Sequence, residues 1–310
     1  MRERVFVSFS VGSARKVMET VLHRAGCPEL MPENSLSFLD RHNWLFGQTF
    51  DADDPRLAAL VRCASEQGIR VKQRRAMVYM DDELRTFALV SLGIECNALE
   101  GSGPELGTKY DFSKSCARCG TGAVQTSPLR VPLSGLPKKQ LACLGPDGEI
   151  LVAQDLMEAL ISGGLEGIEL RQVLFYRNDE SLPWWQIISR YEMPKMSPDT
   201  RGIITDEVDH VMDGGMVIRA LPPCPICRRD GHYATTAEPM QIAYRRSDGD
   251  LKTFPDVVHT WECFGRSRWE PEKPEVCGVA APLILVTPNV FDIFRRLKVK
   301  RARFTPVRFV

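Results

Sequence analysis

Two short stretches, Cys116-Ala117-Arg118-Cys119-Gly120 and Cys224-Pro225-Ile226-Cys227, decide how this chain is read. Each is a Cys-x-x-Cys step, the spacing at which a tight turn aims two thiolates at one metal ion. Gly120 supplies the left-handed backbone that such a knuckle needs just after its second cysteine. Together Cys116, Cys119, Cys224 and Cys227 predict a tetrahedral, all-thiolate site for a structural Zn2+, because four protein ligands leave no open position for water. The two steps lie about a hundred residues apart. The segment 121–223 between them must therefore fold as an insertion whose ends meet.

Composition limits the alternatives. Of 310 residues, 44% are hydrophobic and 26% charged, so the chain can bury a core and is not of the disordered class. Lys and Arg balance Asp and Glu at forty each, which counts against a dedicated nucleic-acid binder. No apolar run approaches the ~20 residues of a membrane span, and Met1-Arg2-Glu3-Arg4 opens no secretion signal. A cytoplasmic location is expected, and there Cys-x-x-Cys pairs read as metal ligands rather than disulfides.

Outward from the knuckles, the pattern predicts an α+β protein with mixed sheets, short helices and an embedded four-cysteine zinc ribbon. Val5–Phe9 reads as a strand. Ser13 caps a helix carrying Val17, Val21 and Leu22 that ends at Gly26. Asp54-Pro55 opens another, which Gly68 stops. Ile69–Val71 and Ala76–Met80 read as short strands, and Asp81 or Asp82 caps a helix through Leu84, Phe87 and Leu89. The Gly/Pro stretch Gly101–Thr108 suggests a boundary between an N-terminal αβ unit (1–105) and a larger zinc-ribbon-containing region (106–310). In the second region, Ile150–Val152, a helix over 153–161 and a strand over 169–176 are expected. The proline-punctuated Leu182–Gln186 is expected to be irregular. A strand, a helix and a strand close the chain between Leu283 and Phe309.

Catalytic readings fail on missing partners. Pro223-Cys224-Pro225-Ile226-Cys227 matches half of a zinc-deaminase signature, whose other half is His-x-Glu; His23, His42 and His210 have no glutamate two residues on. A thioredoxin-like pair opens a helix, whereas Gly120-Thr121-Gly122 does not read as one. The chain is therefore read as not an enzyme. Cys263 and Cys277 rank below the knuckles as alternative ligands, having no Cys-x-x partner; His232 reads first as a surface histidine or one behind the ligands and only second as a substitute ligand; and Cys27, Cys63, Cys96 and Cys143 are packing residues. Trp184-Trp185 is either a binding patch or a lid over the core. Lys298–Arg303 is the one dense basic cluster, solvating a turn or touching phosphate.

The layout of these cysteine steps, with the strand–helix–strand end, resembles the double-CXXCG motif proteins of bacteria. It departs from them where Arg228, not glycine, follows the second pair. That resemblance implies a protein partner, a cognate toxin neutralised by an immunity-type protein. Zinc ribbons also serve as nucleic-acid binders, and Arg228, Arg229 and the Lys298–Arg303 cluster make that the alternative partner class.

Overall fold

The computed structural model describes residues 2–11, 14–32, 36–38, 41–94, 99–101, 103–138, 140–144, 148–204, 208–211, 217–220, 223–234, 239–248, 254–265, 270, 273 and 280–310. Ser13, Cys96 and Cys277, and nearly all of the 266–277 segment, lie outside them. Helices and sheets are mixed, as the α+β pattern predicts. Residues 1–80 form one compact unit, and 81–234 with 240–310 form the other.

In the first unit β1 (Arg2–Ser10) is the middle of a three-stranded antiparallel sheet. Between α1 (Arg15–Arg24) and the next sheet strand, β4 (Leu45–Asp51), runs a small hairpin of β2 (Leu36–Phe38) and β3 (Arg41–Asn43). After β4 come α2 (Pro55–Glu66) and β5 (Lys72–Val78). The alternation of β1 puts Val5, Val7 and Phe9 inward, against Met18, Leu22 and Leu60 of the helices. α2 starts where the sequence indicates: the Asp54 carboxylate accepts the Arg56 amide and Pro55 takes the first turn. β5 is one strand where two short ones were expected.

The second unit begins with a single helical turn, α3 (Asp81–Leu84), and β6 (Val90–Ile94). The expected helix through Leu89 stops after this one turn, and the chain passes into β6, which pairs on both sides with residues about two hundred positions away. It lies between β20 (Ala281–Val286) and β21 (Ala302–Pro306), and β19 (Val257–Phe264) completes an antiparallel sheet of four. This pairing places 81–100 in the second unit, so the break between units falls before Asp81 rather than in the Gly101–Thr108 stretch. α5 (Pro288–Arg296) packs Phe291 and Phe294 edge-on against Phe304 of β21.

A hairpin of β7 (Tyr110–Asp111) and β8 (Val124–Gln125) brackets the first knuckle. The insertion then makes its own five-stranded sheet from β9 (Arg130–Val131), β10 (Leu141–Cys143), β11 (Ile150–Ala153), β12 (Ile168–Phe175) and β13 (Ser181–Ser189), with α4 (Gln154–Ser162) between β11 and β12. Their order is β10-β11-β13-β12-β9. Contrary to expectation, Leu182–Gln186 belongs to an interior strand. Pro183 is tolerated because the β12–β13 register slips between Gln172 and Leu174, and a proline without an N–H fits at such a bulge. Trp184 is 3% exposed, in a core with Leu129, Leu151 and Val173, whereas Trp185 is half-buried. The remaining pairs are short: β14 (Ile203–Ile204) with β17 (Tyr233–Ala234), β15 (Val208–Val211) with β16 (Val217–Ala220), and β18 (Ala243–Tyr244) with β22 (Arg308–Phe309). No helix among the described residues is long and apolar enough to cross a membrane.

Candidate metal centre

The four predicted cysteines converge. Their sulfurs all lie within 4.8 Å of one another. Cys116 Sγ is 3.9 Å from Cys224 Sγ, and Cys119 Sγ is 3.5 Å from Cys227 Sγ. These distances are far beyond the ~2.05 Å of a disulfide, and all four are free thiols. Such a cluster can hold a metal ion. It also joins the two ends of the insertion, as the sequence requires.

The two knuckles are built alike. In the first, the Gly120 amide donates to the Cys116 carbonyl at 2.8 Å, with Gly120 at φ +76°. In the second, the Arg228 amide donates to the Cys224 carbonyl at 2.8 Å, with Arg228 at φ +56°. The departure at Arg228 therefore leaves the turn intact and places a side chain in the left-handed region, where Cβ crowds the backbone. Arg228→Gly is expected to raise the stability of the metal-loaded protein by about 1 kcal/mol. Thermal unfolding at fixed metal checks this, and a lowered midpoint contradicts it.

Each knuckle is anchored on a sheet element. The first sits between the strands of the β7–β8 hairpin. The second is stitched to the end of β19: the Cys263 amide donates to the Arg229 carbonyl (2.6 Å), the Gly231 amide donates to the Gly265 carbonyl, and the Gly265 amide donates to the His232 carbonyl. Polar neighbours then orient the sulfurs. Thr121 Oγ1 lies 3.3 Å from Cys119 Sγ, and the Arg229 amide points at Cys227 Sγ from 3.5 Å. The buried Asp230 carboxylate accepts the Cys224 amide at 3.1 Å.

Burial and hydrogen bonding pull the thiols in opposite directions. Burial works against ionising Cys116, but the amides of Cys119 and Arg118 aimed at it prevail and lower its thiol to about 7. Burial dominates at Cys119 and Cys227 and pushes both thiols up. A coordinated metal ion reverses that balance, since a ligating thiol is deprotonated outright.

The substitute ligands fall elsewhere. His232 hydrogen-bonds the Arg228 carbonyl through Nε2 at 3.2 Å and packs on Phe264, so it braces the second knuckle from behind. Cys263 is outside the cluster, and burial pushes its thiol up to about 12. Cys277 lies outside the described residues. The chain after Cys119 turns directly into β8 and opens no helix. Sequence reasoning missed Thr121 and Asp230; their signal was only that each follows a knuckle with a side chain able to reach back to it. No family model, curated protein or solved structure matches this chain.

Proposed function

We propose that the chain is a non-catalytic, cytoplasmic protein-binding module whose four cysteines hold one structural Zn2+. The observation that carries the reading is the closed thiolate set. A tetrahedron of ~2.3 Å zinc–sulfur bonds has edges of about 3.8 Å, and the Cys116–Cys224 and Cys119–Cys227 separations of 3.9 and 3.5 Å bracket that value. With every position taken by protein, zinc there can pin the insertion but cannot activate water or polarise a substrate. The site then forms a small zinc ribbon whose purpose is to hold a surface.

The partner class follows from the cysteine layout shared with double-CXXCG motif proteins: a toxin neutralised by a tight complex. Co-expression with the protein encoded by the adjoining gene should relieve that protein's toxicity to growth, and the two chains should co-elute as a 1:1 complex in light scattering. Unrescued growth and separate elution, with the protein folded and zinc-loaded, would sink the proposal. The nucleic-acid reading is the weaker one. Arg229 is committed to Glu192 and to the Trp261 carbonyl, which leaves exposed Arg228 and the Lys298–Arg301 turn for phosphate. It predicts affinity that falls steeply with salt.

A further inference from the structure

A cavity of about 550 Å³ lies within the second unit, between the insertion sheet and the four-stranded sheet. Its lining is largely aliphatic and includes Ile187 and Ile188 of β13 and Leu283 and Ile284 of β20. One wall is the chain leaving the first knuckle. It is fixed by a reciprocal amide pair, in which Gln125 and the buried Gln186 each donate to the other at 3.0 Å. This size and a mostly apolar lining with a few placed polar groups are what small-molecule sites have in common.

The charges around the cavity select the ligand. Arg171 is ion-paired with Glu169 at 2.6 Å, and Arg229 is paired with Glu192. Glu149 differs: its side-chain hydrogen bond comes from the neutral Tyr110 hydroxyl at 3.3 Å, and no cation among the described residues pairs with it. Burial accordingly pushes the Glu149 carboxyl up, with its own amide and the Tyr110 hydroxyl opposing. A carboxylate desolvated beside apolar surface gains most from a charged hydrogen-bond donor.

We propose that this cavity binds a small molecule with an apolar body and a protonated amine, the amine seated on the Glu149 carboxylate beside Tyr110. None of the four clustered cysteines lines the cavity, and the proposal does not depend on which macromolecule the protein binds. Arg171 and Arg229 are already neutralised, so an anionic head would meet Glu149 without compensation.

The test uses the full, metal-loaded chain labelled at isoleucine methyls, titrated with 4-phenylbutylamine, 4-phenylbutanol and 4-phenylbutanoate. The amine should shift the Ile187, Ile188 and Ile284 methyls and bind about ten-fold tighter than the alcohol, with the carboxylate weakest. Glu149→Gln should bring the amine down to the alcohol's affinity. Ala281→Phe, which fills the cavity without changing its charge, should weaken all three; unperturbed methyl signals elsewhere show that each variant folds. Binding led by the carboxylate, equal binding of the three, or no binding to the folded chain overturns the proposal.

Discussion

A Cys224→Ser chain purified beside the wild type is expected to lose about one metal ion per chain, and with it the folded insertion. Structural zinc in small thiolate sites contributes ~10 kcal/mol or more of apparent folding free energy. A whole domain has only ~5–15 kcal/mol in hand. The site here closes a loop of about a hundred residues, and its two anchors, the β7–β8 hairpin and the end of β19, are otherwise far apart in sequence. Serine at 224 leaves three thiolates and an alcohol that does not ionise at neutral pH, so three sulfurs are held together by burial alone. Elemental analysis, thermal unfolding and hydrogen exchange read the result together. Early exchange is expected in β9–β13 and around Cys263, where the second knuckle docks. A variant that keeps its metal, or a metal-free chain with an unchanged melting midpoint, would show that packing holds the ends without the ion. Stripping wild-type protein with a strong chelator should reproduce the variant, and zinc returned in slight excess should reverse it.

Trp184→Ala should cost about 3–5 kcal/mol, the usual range for a large aromatic removed from a tight core. Trp184 is 3% exposed and packs inside the insertion with Leu129, Leu151 and Val173. Its truncation leaves a void that β11 and β13 cannot close without breaking their register, in which Ala153 stands opposite Trp184. Trp185, one residue on, points to the other face of the strand and is half-buried; Trp185→Ala should cost about 1 kcal/mol. Denaturant unfolding of the two metal-loaded variants separates them. Equal losses would place both rings in the core and contradict the strand register. On this reading the insertion needs both its own apolar core and a metal at its neck, and loss of either is expected to destabilise it.

The division between what was legible and what was not follows the range of the interactions. The knuckle turns, the Asp54-Pro55 helix start, the alternation of Val5, Val7 and Phe9, and the strand–helix–strand end all depend on residues within a few positions of one another. Each could be read directly, as could the pairing of the two cysteine steps, because thiolates at that spacing have one dominant chemistry. Three features depended on partners in other strands. Val90–Ile94 is an apolar run following a helical turn, and only pairing with Ile284–Val286 and Ala302–Pro306 makes it a strand. Pro183 argues against a strand locally, and only the bulge it occupies in β13, opposite Val173 of β12, makes room. Glu149 and Ile284 come to one cavity only because two sheets meet. The sequence by itself determined the α+β pattern and which four sulfurs belong together, since both rest on short-range geometry and on the chemistry of thiolates. Tertiary structure alone decided the strand order, the burial of Trp184 over Trp185, and the cavity walls. Pairing free energy between distant segments depends on the whole set of contacts and has no local signature.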